Sequence, residues 1–554
     1  MSSLGRRYRT KLAGLLPALG SIAMCAFVLW KALAVSQDLN WPHDEDLYRD
    51  LSQAQTIADG HPIEDPFYRG ETLWYNPLTP WVVAQVSGWL HRPLGLVYAR
   101  AGAYINLLGP LCLYLLVRRL AGGWAACAAI ASYLFTRDPD VPSYTAATYS
   151  PWLLSAHLAQ PLFYCGLLAV RTALLTNRIV SYALLGLVAG LTFLAHTAPA
   201  LILGVTTATL LLLGRAGGLE RKARWLGLAA RTAVAATVAV VVSIPLLRSI
   251  VLNYGLHIRN AEPLNWNWEP FDAINALSLA AENLHLPQFI ALLGFAAAAF
   301  RIRTRVNARI LVAWPLSCLF LLFYSWTAAE ARSRGLFLPN VSPAFHFVFW
   351  AKAAESALFG YGVRQIAWLA ASGGSALILR GRALRPKANL LAARALMGAS
   401  VIGMAAVLAP SFAGRADLVS SRHRARKFAS KPGWDFARAW IRENTHRDDV
   451  FLASDEMALF VVGPAGRKVV AVGPVFSNPY VRWEPRAVAR DAMFESLSTG
   501  SMSAFLRFSR EYPVTYVISD AVGRNPFAKI GGEVMKPVFN RGNVRIFRTP
   551  PVSR

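Results

Sequence analysis

Residues 41–48 have the sequence Trp41-Pro42-His43-Asp44-Glu45-Asp46-Leu47-Tyr48 and lie shortly after an apolar run that extends from about residue 12 to residue 35. The surrounding segment, residues 38–78, has nine acidic residues and only two basic ones, whereas the formal net charge of the whole chain is +26. Carboxylates concentrated beside a hydrophobic run, in a segment with proline and tryptophan, indicate a functional site at a membrane surface. The alternative is a solvated outer loop that is acidic because basic residues are retained in the cytoplasm.

The composition is typical of a polytopic membrane protein. The chain is 55% hydrophobic with a mean hydropathy of +0.36, and only 16% of its residues are charged, below the roughly 25% usual in globular proteins. The basic residues lie mostly between apolar runs, where membrane topology explains them, so the pI near 10.3 does not indicate nucleic-acid binding. All five cysteines lie inside apolar runs without a Cys-x-x-Cys motif, so we expect neither disulfides nor structural zinc.

The apolar runs predict about eleven transmembrane helices. After the first run they lie at about 95–117, 123–136, 156–175, 179–196, 198–214, 226–247, 287–300, 306–328, 363–379 and 388–410. Basic clusters fall between alternate pairs of runs, which predicts a cytoplasmic N-terminus. Several runs are shorter than the roughly 20 residues that cross a bilayer, so some helices are expected to be partial or re-entrant. The polar loops at 36–94, 137–155, 248–286 and 329–362 are then outside.

The composition changes after residue 410. Residues 411–554 contain 23 basic and 13 acidic residues, and their apolar runs have strand length. Short strands are predicted at 450–452, 469–472, 514–518 and 544–547, with helices at 435–443 and 486–497. We therefore expect a transmembrane domain over 1–410 and a small extracytoplasmic α/β domain over 411–554.

Two acid-x-acid motifs lie in the first two outer loops, Asp44-Glu45-Asp46 and Asp138-Pro139-Asp140. Paired carboxylates can take a proton from an attacking hydroxyl group, or hold a divalent cation against a phosphate. The alternative for the second motif is a loop turn that caps the next helix. After the first motif, the apolar positions from Leu51 to Ala58 predict a helix that Gly60 ends.

The chain resembles the GT-C superfamily of integral membrane glycosyltransferases, which use polyprenyl-phosphate-linked sugars. The resemblance rests on one span followed by a long acidic loop with a His-Asp-Glu-Asp core, on Tyr75-Asn76-Pro77, on Gly190-Leu191-Thr192-Phe193-Leu194-Ala195-His196-Thr197-Ala198-Pro199 and on the outer C-terminal domain. Protein O-mannosyltransferases, the lipid A aminoarabinose transferase and the catalytic subunit of oligosaccharyltransferase are relatives in that superfamily. The outer domain has no Trp-Trp-Asp sequence, which argues against an oligosaccharyltransferase proper and leaves a requirement for a divalent cation open.

The resemblance implies a set of site residues. Asp44 matches the first-loop catalytic carboxylate, with Asp46 as the alternative, and Asp138 and Asp140 match the acidic second-loop motif of some members. A leaving polyprenyl phosphate needs cations, and the outer loops offer Arg259, Arg332, Arg334 and His346. Interfacial contacts with lipid headgroups are the alternative for the arginines. Tyr75 is a candidate for stacking on a sugar, with an interfacial aromatic belt as the alternative.

The function that follows is transfer of a sugar from a polyprenyl-phosphate donor to a hydroxyl acceptor on a glycan, lipid or protein. The expected location is the bacterial inner membrane. Asp44 would be the general base, and as an exposed loop residue it would be replaceable without loss of fold. A transporter or flippase for a lipid-linked glycan is an alternative, but it favours ionisable residues inside spans and repeated halves, and neither is evident. A non-catalytic membrane scaffold is the third possibility, and it predicts that Asp44 is dispensable.

Overall fold

The structure is a computed structural model that describes residues 3–136, 148–213, 221–265, 284–336, 338–339, 342–378, 386–429, 431–499, 503–520 and 536–549. The chain divides into two compact units. The first contains Met1–Gln37, Gly102–Ser243 and Trp268–Val419, and the second contains Asp38–Ala101, Ile244–Asn267 and Ser420–Arg554. The second unit therefore combines most of the predicted first outer loop with most of the C-terminal region. We call its residues 38–101 the first outer segment, after this predicted location.

Helices make up most of the described chain before residue 430. They are α1 Ser3–Ser36, α2 Glu45–Ala58, α3 Leu78–Leu90, α4 Leu94–Arg100, α5 Gly102–Ile105, α6 Leu108–Ala121, α7 Gly123–Phe135, α8 Ser155–Thr176, α9 Ile179–Ala195, α10 Thr197–Leu213, α11 Arg221–Leu247, α12 Glu262–Asn265, α13 Leu286–Phe300, α14 Val306–Ser333, α15 Phe345–Ile378, α16 Pro386–Ala413 and α17 Ala416–Ala429. A π-helical turn, Arg248–Asn253, continues α11. We call α17 the basic helix, because four of its residues between 422 and 427 are Arg or Lys.

Six helical segments in the described residues are long and apolar enough to cross a membrane. They are Leu15–Ser36, Leu94–Ala121, Ser155–Thr176, Gly227–Asn253, Val306–Ala328 and Asn389–Pro410. Shorter apolar helices lie at Gly123–Phe135, Ile179–Ala195, Thr197–Leu212 and Leu286–Phe300. These helices are those of an integral membrane protein, and the number of about eleven spans stays a prediction.

The predicted fourth outer loop, 329–362, is mostly helical, since α14 ends at Ser333 and α15 begins at Phe345. The apolar run at 363–379 belongs to α15, which already begins at Phe345. The apolar run marks only the second half of α15. The first half is less apolar because it contains Lys352 and Glu355, which form an ion pair at 2.8 Å. A charged pair of this kind keeps the helix intact while lowering the mean hydropathy of its sequence.

The C-terminal part of the second unit contains a five-stranded mixed sheet, and we call this α/β region the outer domain, after its predicted location. The strands are β1 Val450–Leu452, β2 Lys468–Val469, β3 Val514–Asp520, β4 Lys536–Arg541 and β5 Val544–Arg548, in the order β2-β1-β3-β5-β4. Strand β1 is parallel to β2 and β3, and β5 is antiparallel to β3 and β4. Helices α18 Trp434–Asn444, α19 Asp455–Met457, α20 Glu484–Thr499 and α21 Ser503–Ser509 accompany the sheet. Its core includes Val450, Leu452, Met493, Leu497 and Val517.

Candidate active site at the start of the acidic helix

The candidate site lies at the amino-terminal end of α2. Asp44 is the N-cap residue, with extended backbone and a side chain that accepts a hydrogen bond from the Asp46 N–H at 3.0 Å. Aspartate is among the preferred N-cap residues, and the helix dipole favours the negative charges of Glu45 and Asp46 in the first turn. The helix begins six residues before Leu51, where the apolar pattern starts. The expectation that Asp44 is an exposed loop residue is therefore wrong, because it is a half-buried helix cap.

Asp46 has a cationic partner one helical turn further along. The Arg49 guanidinium donates to Asp46 Oδ1 at 2.7 Å and makes two hydrogen bonds, 2.9 and 2.8 Å long, to Asp50 Oδ1. The Asp50 side chain is only 1% exposed and that of Asp46 is 41% exposed. Arg49 thus neutralises the buried acid and holds the exposed one, which favours Asp44 over Asp46 as the reactive carboxylate.

Asp44 is held near its protonation midpoint at neutral pH. Burial raises the pKa of Asp44 from 3.8 to about 7, and the negative charges of Asp46 and Glu45 act in the same direction. The hydrogen bond from the Asp46 N–H and the charge of Arg424 on the basic helix lower this pKa. The two neighbouring acids act in the direction expected from the sequence, but the dominant cause, burial, was not visible there.

The residues on either side of Asp44 differ in burial. His43 is fully buried, and desolvation followed by repulsion from Arg424 lowers its pKa from 6.5 to about 3, so its imidazole is neutral at physiological pH. Glu45 is exposed, and partial desolvation and the charge of Asp46 raise its pKa. Because His43 is neutral and the pKa of Glu45 is raised, the charge at the start of α2 depends mainly on Asp44, Asp46 and the cations around them.

Tyr75 lies beside the same cation. The Arg49 guanidinium carbon is 3.7 Å from the centre of the Tyr75 ring, a cation–π distance. Burial raises the pKa of Tyr75 to about 12, although Arg49 opposes the shift, so the phenol stays protonated. Arg49 covers one face of the ring and the Trp74 ring lies 5.5 Å from it in an edge contact, so stacking of Tyr75 on a sugar stays a prediction.

Arg259 belongs to the same compact unit. Its backbone N–H donates to the Pro479 carbonyl at 2.8 Å, and the neighbouring Asn260 donates through its side chain to the Pro474 carbonyl at 2.8 Å. The Arg259 guanidinium is exposed and makes no hydrogen bond or ion pair within the described part of the chain. The outer domain therefore fixes the backbone of this residue and leaves its charge available.

Of the remaining predicted residues, the structure describes the side chains of Arg334 and His346, which both belong to the first unit. Arg334, in the first unit, pairs with Glu330 at 2.7 Å and is 72% exposed. The ring of His346, in the same unit, lies 4.7 Å from that of His196. The side chain of Arg332 and the whole of Asp138 and Asp140 lie outside the described residues.

Sequence reasoning missed Arg49, Asp50 and Arg424. The pair Arg49-Asp50 follows Asp46 at the spacing of one helical turn, which is a signal for an intrahelical ion pair once the helix is known to begin at Glu45. Arg424 had no such signal, because it lies far from Asp44 in the sequence.

The described donor atoms do not suit a divalent cation. No group of three or more His, Cys, Asp or Glu side chains comes together among the residues that the structure describes. Asp46, one of the two carboxylates of the motif, already binds the Arg49 guanidinium, whose charge repels a metal ion.

No protein-family model matches the sequence, and no curated protein matches it by sequence. Among solved structures, the chain is similar to ArnT from Cupriavidus metallidurans in the apo state, with 13% identity over 95% of this chain and 97% of that chain and a TM-score of 0.53. A second structure of that ArnT, bound to undecaprenyl phosphate, matches with 13% identity over 96% and 98% of the two chains and a TM-score of 0.51. The oligosaccharyltransferase of Archaeoglobus fulgidus matches with 13% identity over 90% of this chain and 69% of that chain and a TM-score of 0.49.

Both ArnT structures align over nearly their whole length, so the likeness concerns the complete layout of helices and outer domain. At this level of identity the likeness establishes architecture only. The resemblance inferred from the sequence motifs is confirmed for the fold: the chain has a GT-C-like fold.

Proposed function

We propose that this protein is an integral membrane glycosyltransferase that moves a sugar from a polyprenyl-phosphate donor to a hydroxyl acceptor. It acts at the outer face of the bacterial inner membrane, with its N-terminus in the cytoplasm and residues 411–554 outside. The GT-C-like fold supports this proposal, as does the undecaprenyl phosphate bound to one ArnT structure of that fold. The observation that carries it is the half-buried Asp44 carboxyl group with a pKa of about 7.

The chemistry needs one base and one cation. Asp44 takes the proton of the acceptor hydroxyl while that oxygen forms a bond to the anomeric carbon of the sugar. The bond between the anomeric carbon and the phosphate oxygen breaks, and polyprenyl phosphate leaves with the bonding electrons. A base works best when its pKa lies near the working pH, because it is then both available and strong enough.

The other residues of the site orient these groups. Arg49 holds Asp46 and Asp50 in fixed positions, so the acids beside Asp44 do not compete for the acceptor proton. Arg259, with a fixed backbone and an uncommitted guanidinium, is the candidate that binds the donor phosphate, since a guanidinium can form a bidentate pair with it. Tyr75 offers one ring face to the sugar. Arg332, Arg334 and His346 are further candidates on the phosphate side, and Asp138 and Asp140 on the acid–base side.

Sugar transfer by the purified protein tests the proposal. The donors are undecaprenyl phosphates that carry a radiolabelled pentose or hexose, and the acceptor is an extract of cell-envelope glycolipids and glycans. We expect labelled product with the wild type and a turnover lower by about 10²–10⁴ for Asp44→Asn, the usual contribution of a general base. Asp46→Asn, the matched variant on the same motif, should lose less.

Two outcomes would contradict the proposal in different ways. Transfer by Asp44→Asn at the wild-type rate would show that Asp44 is not the base. Movement of the labelled lipid across proteoliposomes, without transfer in detergent from any donor, would favour a flippase.

A further inference from the structure

The basic helix is tied to the end of the first apolar helix. Arg422 and Arg426, one turn apart, both donate to the Asp38 carboxylate, with an Arg422 distance of 2.8 Å. Asp38 comes directly after the apolar segment Leu15–Ser36 and one further residue, and two residues of chain cover at most about 7 Å. The headgroup region on each side of a bilayer is about 5–8 Å thick. Where Leu15–Ser36 spans the bilayer, this salt bridge therefore holds the basic helix at the level of the lipid headgroups.

The chain reaches the same level from its other direction. The apolar segment Asn389–Pro410 is long enough to cross a membrane, and the basic helix begins shortly after it, at Ala416. A connection this short leaves the start of the basic helix close to the end of that segment. Two candidate spans thus end next to the basic helix, one through Asp38 and one through the chain itself.

The basic helix has three faces. Ser421 and Ala425 are fully buried, and Arg422 and Arg426 face Asp38. At 3.6 residues per turn, the remaining positions between 419 and 427 fall on one continuous arc of about 140°. All five side chains on this arc are exposed, and we call the arc the basic face: Val419, Ser420, His423, Arg424 and Lys427.

The positive charge of this helix exceeds what its salt bridge balances. Arg422 and Arg426 share one carboxylate, and the side chain of Arg426 is still 58% exposed. The Arg424 side chain makes no hydrogen bond or ion pair within the described ranges, and Lys427 brings a further exposed charge to the same face. The predicted topology places residues 411–554 outside, so retention of basic residues in the cytoplasm does not account for this cluster. An anionic ligand at the membrane surface does.

We propose that the basic face binds the phosphate groups of anionic membrane phospholipids, and so fixes to the bilayer surface the chain that leads into the outer domain. Clusters of Lys and Arg next to a membrane-spanning helix attract anionic headgroups. Arg424 and Lys427 supply charge-assisted donors, and the His423 ring can supply a further hydrogen bond. Val419, which is 63% exposed, gives the face an apolar edge that acyl chains can cover.

Bulk phospholipid is the occupant that this face favours. Its cationic groups are exposed and spaced along one side of a helix, which suits several headgroups at once rather than the fixed geometry of one bound phosphate. The inference does not depend on sugar transfer, because it concerns only how the protein contacts its membrane.

Photocrosslinking of the full-length protein in proteoliposomes tests the inference. A benzophenone amino acid is placed at position 420, in the middle of the basic face, and the vesicles contain equal amounts of phosphatidylglycerol and phosphatidylcholine. Mass spectrometry of the adducts should show phosphatidylglycerol enriched severalfold over the vesicle composition. Arg424→Gln/Lys427→Gln should bring the adduct ratio close to that of the vesicle, since each charge contributes roughly fivefold at low salt. Arg424→Lys/Lys427→Arg keeps both charges and should keep the enrichment.

The matched control is Arg482→Gln/Arg510→Gln. It removes the same charge from two exposed arginines of the outer domain and should leave the enrichment at the wild-type level. An equal fall in this control would overturn the inference, because the net charge of the protein rather than the basic face would then select the lipid. Adducts of the wild type in the ratio of the vesicle lipids would overturn it as well.

Undecaprenyl phosphate distinguishes this surface from a donor site. In a parallel sample it replaces phosphatidylglycerol at the same surface charge, with phosphatidylcholine as the other lipid. Enrichment no greater than that of phosphatidylglycerol supports a surface for bulk anionic lipid. A marked preference for undecaprenyl phosphate would overturn the inference and assign the basic face to donor binding. A protein that transfers no sugar would still give the phosphatidylglycerol result, so failure of the proposed function and failure of this inference are separate outcomes.

Discussion

Asp65 and Asp44 belong to the same outer segment and have opposite surroundings. Asp65 is fully buried, and its carboxylate accepts hydrogen bonds from the backbone N–H groups of Phe67 at 2.7 Å and Tyr68 at 2.9 Å and from Asn478 at 2.9 Å. Asp44 is half-buried and accepts one bond, from the N–H that it caps. The more deeply buried acid is therefore the better satisfied one.

This difference distinguishes a structural acid, Asp65, from Asp44, the acid that we propose as the base. Burial raises the pKa of Asp65, but three hydrogen bonds and the charge of Lys468 oppose the shift. At Asp44, burial and two neighbouring acids are opposed by one hydrogen bond and the charge of Arg424, which leaves the pKa at about 7. A buried carboxylate that accepts three hydrogen bonds holds segments of the chain together, whereas one that accepts a single bond has lone pairs left to take a proton.

The cations of the same unit show a parallel contrast. Lys468 is buried, donates to the Asp65 backbone carbonyl and lies 3.7 Å from Glu64. Arg259 has its backbone fixed and its guanidinium exposed without a partner in the described residues. Lys468 joins the outer domain to the first outer segment inside one unit, while the Arg259 guanidinium is available for the phosphate that we propose it binds.

The largest effect is expected at Asp65. Asp65→Ala leaves three donors in a buried region without their acceptor, and each costs about 1–3 kcal/mol, so the second unit should lose at least about 3 kcal/mol of stability. Limited proteolysis and thermal unfolding in detergent measure this loss. Asp491→Ala removes an aspartate that is 67% exposed and should change stability by no more than about 0.5 kcal/mol. Equal stability of the two variants would contradict the structural role of Asp65.

Substitution of Asp44 should lower turnover while leaving the stability of the protein nearly unchanged. Asp44→Asn keeps an oxygen that can cap α2, since asparagine is as good an N-cap as aspartate, so the unfolding temperature should stay near that of the wild type while turnover falls by about 10²–10⁴. Asp44→Ala should lose the same turnover and about 1 kcal/mol of helix stability as well. Turnover is compared at matched amounts of folded protein. A destabilised Asp44→Asn would mean that Asp44, like Asp65, is structural.

The start of α2 could have been predicted more fully from the sequence. Its apolar positions give the helix from Leu51 to Ala58, and the structure ends the helix there, with Gly60 at φ 92° after it. An aspartate followed by two acids is also a helix-start signal, which places the N-cap at Asp44. The raised pKa of Asp44 could not be predicted, because it depends on burial and on Arg424.

In the outer domain, too, the elements with a local sequence signal could be predicted, and those that depend on distant contacts could not. Strands β1, β3 and β5 are confirmed within two residues at each end, because their buried apolar runs are local signals. Strand β4 was missed, since Lys536-Pro537-Val538-Phe539 does not alternate clearly and lies at the sheet edge, where proline is tolerated. The strand predicted at 469–472 corresponds to β2, which begins one residue earlier, at Lys468. A lysine is not expected in a buried strand, and the burial of Lys468 depends on its hydrogen bond to the Asp65 carbonyl.

The third-largest effect is expected at Arg259, which we propose binds the donor phosphate. Arg259→Lys keeps the charge but loses the planar fork that can bind phosphate bidentately. Loss of one charge-assisted contact costs about 1.5–3 kcal/mol, so kcat/KM for the donor should fall roughly ten- to hundredfold. Arg510→Lys, at an exposed arginine of the outer domain, is the control and should leave kcat/KM unchanged. Wild-type kinetics in both variants would remove Arg259 from the phosphate site.

The smallest effect is expected at Asp46, where the change should appear in the pH profile rather than in the maximum rate. Asp46→Asn removes the negative charge that, after burial, contributes most to the raised pKa of Asp44, and it keeps the backbone N–H that Asp44 caps. The Asp44 pKa should therefore fall. Asp44 must be ionised to accept a proton, so the acid limb of kcat/KM should move to lower pH, while the rate well above pH 7 should change little.

Arg49 keeps both hydrogen bonds to Asp50 in this variant, so the position of the helix start should be preserved. Because the Asp46 side chain is 41% exposed, its effect on Asp44 is screened by salt, and the displacement of the limb should shrink as the ionic strength rises. Arg424→Gln should displace the limb in the opposite direction. If the acid limb of the Asp46→Asn profile stays at its wild-type pH at low salt, the charge of Asp46 does not affect Asp44. Burial would then be the main cause of the raised pKa of Asp44.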